Sequence, residues 1–391
     1  MPLHPNNELL VKTVEAMGLL DNRYEQMKFV NYDSVSDQKR GCFSLVFRAF
    51  DRLNQKTVAL KFYDIDPQRM MDVYRQKAFQ REHEILSVLL NKKRCLQLAS
   101  ALSTFQLELQ ISNVATVTIP CQYFAIEWID DDIDEYFLAN GTFTHVQKLR
   151  MFNDIVLAVA SLHRFEIYHR DIKADNLRAY KDALERIVVA IDLGTAAIIS
   201  SGHLTNSYTH SVGAPIYAAS EARCGLAGNR FLAPFTDKYA LGCLLYELFN
   251  PDYFYRELTR HHPNYETTLS AMSSFLLGAK NEQDQLDKWK IAVAKIGHSI
   301  APLSIDGPGN TIPLGIVDLL NELLAGLTHI NYSKRPTLDW TRQKIHAAIK
   351  VLENSKAYQH KLEIAKTRRL RRQDNADRAQ ARLSSYLKGK K

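Results

Sequence analysis

The sequence predicts an α+β protein in which a strand-rich N-terminal unit is followed by a mainly helical one. Three observations carry this. Short β-branched and aromatic runs broken by turn residues fill the first third of the chain, helical periodicity dominates from residue 145 onward, and the two patterns do not alternate. With 391 residues, 46% of them hydrophobic, the chain can bury a substantial core.

Apolar positions recur at helical spacing over 9–30, which predicts a short helical extension (1–29) before the first unit. From Phe29 to Phe62 the runs separated by Asp33, Ser34, Asp51 and Asn54 read as antiparallel strands. Residues 68–90 read as one helix with Phe79, Ile85, Leu86 and Leu89 on a common side. Strand-like alternation returns at 104–119 and Tyr123–Ile129, ending in the acidic Asp130–Asp132. Helices are expected at 145–163, 237–250, 269–281, 284–296 and 315–327, and from 338 onward. The expected organisation is therefore an extension to 29, a strand unit over 30–126, a helical unit over 127–350, and a tail over 351–391, helical or partly disordered.

Charge and cysteine usage narrow the function classes. Residues 361–391 carry eleven Lys or Arg against Glu363, Asp374 and Asp377, so the tail alone accounts for the net charge of +7. That suits an acidic partner. With Tyr386 its only aromatic and acids interrupting it, the tail does not read as a nucleic-acid stacking platform. The cysteines (Cys42, Cys95, Cys121, Cys224, Cys243) are odd in number and form no CxxC pair, which speaks against a disulfide framework or zinc site. His261 and His262 show no metal-ligand spacing. The N-terminus does not read as a secretory signal, and no apolar run is long enough to span a bilayer, so a soluble, cytoplasmic protein is expected.

Four segments carry chemistry. Val58-Ala59-Leu60-Lys61 is a strand ending in a lysine that can place a point charge on phosphates. Glu82, on the predicted helix, can hold that ammonium in position. Tyr168-His169-Arg170-Asp171-Ile172-Lys173-Ala174-Asp175-Asn176-Leu177 combines a base able to take a hydroxyl proton (Asp171), a cation beside it (Lys173), and an amide oxygen suited to a hard metal (Asn176). Ile191-Asp192-Leu193-Gly194 follows an apolar strand and supplies a second oxygen ligand, Asp192. Each segment alone admits a structural reading: a snorkelling lysine, a solvated acid, a polar loop, a turn. Together, in this order, they point to phosphoryl transfer, which needs phosphates neutralised, a metal held and an acceptor hydroxyl aimed.

On these motifs the chain resembles the eukaryotic-like (Hanks-type) Ser/Thr protein kinases over roughly residues 30–350. The resemblance implies a bilobal kinase fold, with an antiparallel sheet and one main helix in the N-lobe and a mainly helical C-lobe. It also implies ATP with Mg2+ or Mn2+, and Ser/Thr hydroxyls of protein substrates, the chain itself included. By it, Lys61 anchors phosphates with Glu82 as its helix partner, Asp171 is the catalytic base, Lys173 steadies the moving group, and Asn176 and Asp192 hold the metal. Ala59 and Ile126 would flank the adenine, with Glu127, Trp128 and Ile129 as the hinge. Glu221 and Arg335 look like the pair that ties the Ala219-Ser220-Glu221 segment to a later helix, and Asp237 like the aspartate bracing the catalytic loop.

The sequence departs from the family at two places. The Gly-rich loop positions fall on Lys39, Gly41 and Ser44, and only Gly41 is glycine; Phe43 and Val46 are family-like. A looser cover over ATP is the expectation. Ala214 stands where a Thr that touches the catalytic Asp and Lys is usual. Arg170 implies an activation-loop phosphate; Thr209 is the favoured acceptor, with Thr205, Ser207 and Ser211 as neighbours. Two other readings stay open: a pseudokinase serving as scaffold, which the degraded loop favours, and a small-molecule kinase.

Overall fold

The computed structural model describes residues 3–33, 38–39, 44–112, 115–182, 185–201, 212–305 and 312–356, together with 360, 364, 367 and 371. Helix α1 (Pro5–Ala16) begins with Pro5, whose missing N–H has no partner to lose in a first turn, and the His4 ring accepts the Asn6 N–H. Its Leu10, Val11 and Val14 are buried. The helical spacing read over 9–30 does not persist as one helix. It ends at Ala16 with Met17 extended, a turn with positive φ at Asp21 and Asn22 follows, and Tyr24–Phe29 is instead the first strand, β1. The 1–29 extension is thus a helix plus an edge strand of the sheet, with Tyr24 and Met27 in the core.

The small ribbon β2 (Tyr32–Asp33) and β3 (Gln38–Lys39) precedes β4 (Ser44–Asp51) and β5 (Lys56–Tyr63). The predicted helix over 68–90 divides into α2 (Pro67–Met70) and α3 (Val73–Val88), each with an Asp N-cap, Asp66 and Asp72. A long hairpin, β6 (Ser103–Ser112) and β7 (Ala115–Glu127), completes a five-stranded antiparallel sheet ordered β1-β4-β5-β7-β6. Alternation along β5 assigns its two faces. Val58, Leu60 and Phe62 pack beneath α1 with Leu10 and Val14, while Ala59 and Tyr63 pack with Phe79 of α3 in the larger core. Asn7 fastens α1 to the end of β5, donating to Asp64 Oδ1 at 2.7 Å and accepting the Ile65 N–H at 3.0 Å.

Beyond Glu127 the chain turns helical, as expected. Short strand β8 (Asp131–Asp132) and helix α4 (Glu135–Leu138) lead to α5 (His145–His163), which opens with a Thr144/Gln147 capping box. Strands β9 (Ile167–Tyr168), β10 (Leu177–Asp182), β11 (Glu185–Ala190) and β12 (Ala197–Ile198) form two small sheets against it. Helix α6 (Ala233–Phe249) is buried on nearly every side, the position its continuous apolar run requires. Then follow α7 (Phe254–His261), absent from the periodicity reading, α8 (Tyr265–Ser274), α9 (Glu282–Lys295), α10 (Leu314–Leu327) and α11 over 338–356. Among the described residues no helix is long and apolar enough to cross a membrane.

Candidate active site

The centre of the site is a meeting of charges from both lobes. Lys61, on the cleft-side face of β5, donates to Glu82 Oε1 and Oε2 at 2.7 and 2.8 Å and to Asp192 Oδ1 at 3.2 Å. Lys61 and Glu82 are 4% and 2% exposed, so neither charge is solvated and each depends on the other. Burial alone would lower the Lys61 ammonium, but the Glu82 and Asp192 carboxylates outweigh it and hold it above the ordinary lysine value. Burial pushes the Glu82 carboxyl up, against the pull of Lys61. Glu82 Oε1 also accepts the Leu193 N–H at 3.1 Å, and the neighbouring Arg81 donates to the Gly194 carbonyl at 2.8 Å. Two consecutive residues of α3 therefore grip the Asp192-Leu193-Gly194 segment. Leu193, where phenylalanine is usual in the family, is fully buried in the larger core.

Asp192 sits in the left-handed region at φ 59°, a conformation that is sparse for non-glycine residues and is held here by its surroundings. Its side chain is 36% exposed toward the cleft. Burial would raise its carboxyl, yet Lys61 overrides that and keeps it below the usual aspartate range.

Asp171 lies on the other side of the cleft. Its Oδ2 accepts from Asn176 Nδ2 at 2.9 Å, and its Oδ1 accepts the Ala214 N–H at 2.6 Å. Lys173 Nζ is 3.9 Å from Oδ2. Burial pushes Asp171 up, partly offset by Lys173 and the Ala214 N–H. Asn176 Nδ2 also donates to the Asp171 carbonyl at 2.8 Å, which turns the amide so that its oxygen remains as an acceptor. An amide oxygen and a carboxylate depressed by Lys61 make a hard-oxygen donor pair that fits Mg2+ or Mn2+. Among the described residues no group of three or more His, Cys, Asp or Glu forms a ready metal cage, and Mg2+ needs few protein ligands when substrate phosphates supply the rest.

The loop carrying Asp171 is braced from below. Asp237, fully buried on α6, accepts the His169 N–H at 2.8 Å and the Arg170 N–H at 2.7 Å, and lies 2.9 Å from His163 Nε2. Burial opposes the charge on Asp237, but these partners hold its carboxyl below the usual range. His169 Nε2 is 2.9 Å from the Ile191 carbonyl, tying this loop to the strand end before Asp192. Glu221 and Arg335 form a bidentate pair at 2.5 and 2.8 Å with both side chains fully buried.

Ala59 pairs with Ile126 across β5 and β7, and Val46 with Lys61 across β4 and β5. The Glu127 carboxylate accepts the Gln97 N–H at 2.8 Å and its own N–H donates to the Gln97 carbonyl, fixing the chain as it leaves the sheet. Trp128 Nε1 donates to Asp130 at 2.6 Å. Ser44 begins β4 and Lys39 has its backbone in β3, while Gly41 and Phe43 lie outside the described residues, as do Thr205, Ser207, Thr209 and Ser211. The Arg170 side chain, expected to meet a loop phosphate, is 8% exposed and donates to the Thr195 carbonyl at 2.5 and 2.8 Å and the Ala227 carbonyl at 3.4 Å.

One necessary residue escaped the motif reading. Gly213 has φ +80°, and a Cβ there would stand 2.6 Å from the Arg170 carbonyl and 2.7 Å from Asp171 Oδ1. Glycine lets the chain approach closely enough for the Ala214 N–H to reach Asp171, the role left vacant by the missing Thr. Only its place before Ala214-Pro215 could have suggested this.

A strand lobe and a helical lobe that meet over a lysine, two oxygen donors and a second, partly buried carboxylate form a phosphotransferase-type cleft. The family described as "Protein kinase domain" matches residues 38–362, and the chain belongs to that family. It is 36% identical over 129 residues to the serine/threonine-protein kinase PrkC of Bacillus subtilis, covering 32% of this chain and 18% of that one. It is 27% identical over 220 residues to the serine/threonine-protein kinase SIK2 of Gallus gallus, covering 56% and 24%. Identity to the carbon catabolite-derepressing protein kinase of Saccharomyces cerevisiae is 29% over 121 residues, covering 31% and 18%. The aligned part spans no more than a quarter of the length of any of these relatives.

Proposed function

We propose that this protein transfers the terminal phosphoryl group of ATP to Ser or Thr hydroxyls of protein substrates, itself included. The observation that carries this is the convergence of Lys61, held by Glu82, with Asp192 at 3.2 Å, across a cleft from Asp171. In this reading Lys61 neutralises phosphate oxygens, and its ion pair with Glu82 prevents it from straying. Asp171, raised by burial, is a better base than a free aspartate and accepts the acceptor hydroxyl's proton at Oδ. Asn176 and Ala214 aim that carboxylate, and Lys173, within 3.9 Å, steadies the transferring group. Asn176 and Asp192 would hold Mg2+ or Mn2+, which when bound supplies charge neutralisation at the phosphates. Ala59, Val46 and Ile126 would enclose the adenine, with the 127–129 backbone as its hinge.

A scaffold without catalysis has no chemical use for this complete set of charges, each buried or aimed at some cost. Lys173 two residues past Asp171 favours Ser/Thr over Tyr. The buried, unpaired thiols of Cys95, Cys121, Cys224 and Cys243 suit a reducing compartment such as the cytoplasm, and the basic tail suits an acidic partner. Incubation with labelled ATP and magnesium tests the reading, comparing wild type with Asp171→Asn on itself and on generic protein acceptors. Label on wild type, reduced roughly a hundredfold or more in the variant, is expected. Equal labelling of the two would end it.

A further inference from the structure

A cavity of about 1280 Å³ lies in the helical lobe, at the start of α5, the end of α6, α7 and the loop at 301–304. Its walls include the apolar side chains Phe143, Val146, Tyr246, Phe249 and Leu303. Lys148, on the second turn of α5, also lines it and is only 5% exposed. Among the described residues the Lys148 side chain makes no hydrogen bond or ion pair; its ammonium lies over the Phe249 ring, 5.3 Å from the centroid. Lys356 adds a second lysine to the wall, while both acids there are engaged. Glu257 is engaged by Arg260 at 2.6 Å and by His261 at 3.6 Å, and Asp252 by Arg256 at 3.1 Å. His262 Nε2 lies 2.9 Å from the Ala301 carbonyl. His261, exposed as the sequence reads it, and the partly exposed His262 also line this cavity.

An ammonium on a largely buried side chain, at a cavity wall and without a counter-charge, is a favourable place for an anionic partner. Burial alone lowers this lysine, and nothing acidic pulls it back. The first turn of α5, a 19-residue helix, opens on the same space through Thr144, His145 and Val146, adding the positive end of its dipole. We propose that this cavity is a second ligand site, separate from the phosphoryl-transfer cleft. Its ligand is a small amphiphilic anion with one carboxylate or phosphate group on an apolar body. The acidic group meets Lys148 and the α5 N-terminus, and the apolar body lies on Phe249, Tyr246 and Leu303. The volume is somewhat above the usual range for a small-organic-ligand pocket and far exceeds a bare anion. The chain's own tail beyond residue 360 is strongly basic, so charge excludes it as the occupant.

Titration calorimetry on the full chain tests this with 1-naphthyl phosphate, 1-naphthoate and neutral 1-naphthol. Both anions should bind once per chain, at least about tenfold tighter than the naphthol, and the stronger of the two identifies the preferred acidic group. Lys148→Met should weaken the anions about tenfold and leave the naphthol unchanged. Saturating ATP should not compete, which separates this site from the cleft even if the protein proves inactive. The variant should keep or raise the melting temperature, since it removes an uncompensated, partly desolvated charge. Should it fail to fold, the exposed rim variant Arg260→Gln carries the test, with a selective loss for the anions expected. No saturable anion binding, equal affinity in the variant used, or displacement by ATP would overturn the proposal.

Discussion

Lys61 and Asp192 are separated by 131 positions in the chain and meet at 3.2 Å, one from the sheet lobe and one from the helical lobe. That contact is built on a buried pair, Lys61 with Glu82, and the dependence of each charge on the other makes it testable. Lys61→Met leaves Glu82 unpaired in a site where it is 2% exposed, and should cost ~3–5 kcal/mol of stability. Lys61→Met/Glu82→Leu should regain most of that in denaturant unfolding while phosphoryl transfer stays lost. A double variant as unstable as the single one would refute the pairing as the source of the loss.

Asp192→Asn removes the charge proposed to hold metal while the buried Lys61 keeps its pair with Glu82. Its melting temperature should stay within a few degrees of wild type, while transfer falls by a hundredfold or more, about 3 kcal/mol of transition-state stabilisation. Retained activity would remove Asp192 from the metal site.

The pH profile follows from Asp171. Its pKa is raised by burial, so its proton leaves at higher pH than that of a free aspartate, about 3.9. A base must be ionised, so kcat/KM should fall with acidification at a pH above the ordinary aspartate range. The residual activity of Asp171→Asn should lack this acid limb. An unchanged limb in the variant would assign it to another group.

Gly213→Ala should act through geometry alone. A Cβ at φ +80° would press on the Arg170 carbonyl and on Asp171 itself. The expected cost is ~1–3 kcal/mol of stability, with a loss of kcat larger than any change in KM, because the displaced group is the proposed base and not a binding surface. Full activity in this variant would show that the loop can shift without consequence.

Glu247 offers a stability test away from the cleft. Buried on α6, it is pushed up to about 7, with Tyr217 Oη at 2.8 Å and the Phe254 N–H at 3.3 Å as partial compensation. An acid whose folded pKa is raised contributes fully below its unfolded value, about 4.3, and loses that contribution as pH rises through 7. Glu247→Gln should therefore gain on wild type between about pH 4.5 and 7.5, by at most ~4 kcal/mol. The gap in melting temperature, followed across that range, should widen with pH; a constant gap would contradict it.

Much of this was legible in the sequence because the relevant signals are local. The helix at 145–163 carries its period and its Thr144 cap within twenty residues, and its bounds agree with the structure. The loop from His169 to Asn176 holds its chemistry in eight consecutive positions. What escaped was set by distant neighbours. The spacing over 9–30 reads as one helix until the turn at Asp21 and Asn22 and the pairing of β1 with β4 are known. Nor does local sequence show that the Arg170 guanidinium reaches the Thr195 and Ala227 carbonyls.

The sequence alone determined which residue types were present to do phosphoryl chemistry, their order, and the division into a strand-rich and a helical part, because hydrophobic period and motif spacing are properties of short stretches. Only the tertiary structure decided that Lys61 meets both Glu82 and Asp192, that Gly213 clears the way for Ala214 to hold Asp171, and that Lys148 lines a cavity with no ion pair among the described residues. Each of these depends on which surfaces the core brings face to face, and burial, which makes a charge costly or useful, exists only once they are packed.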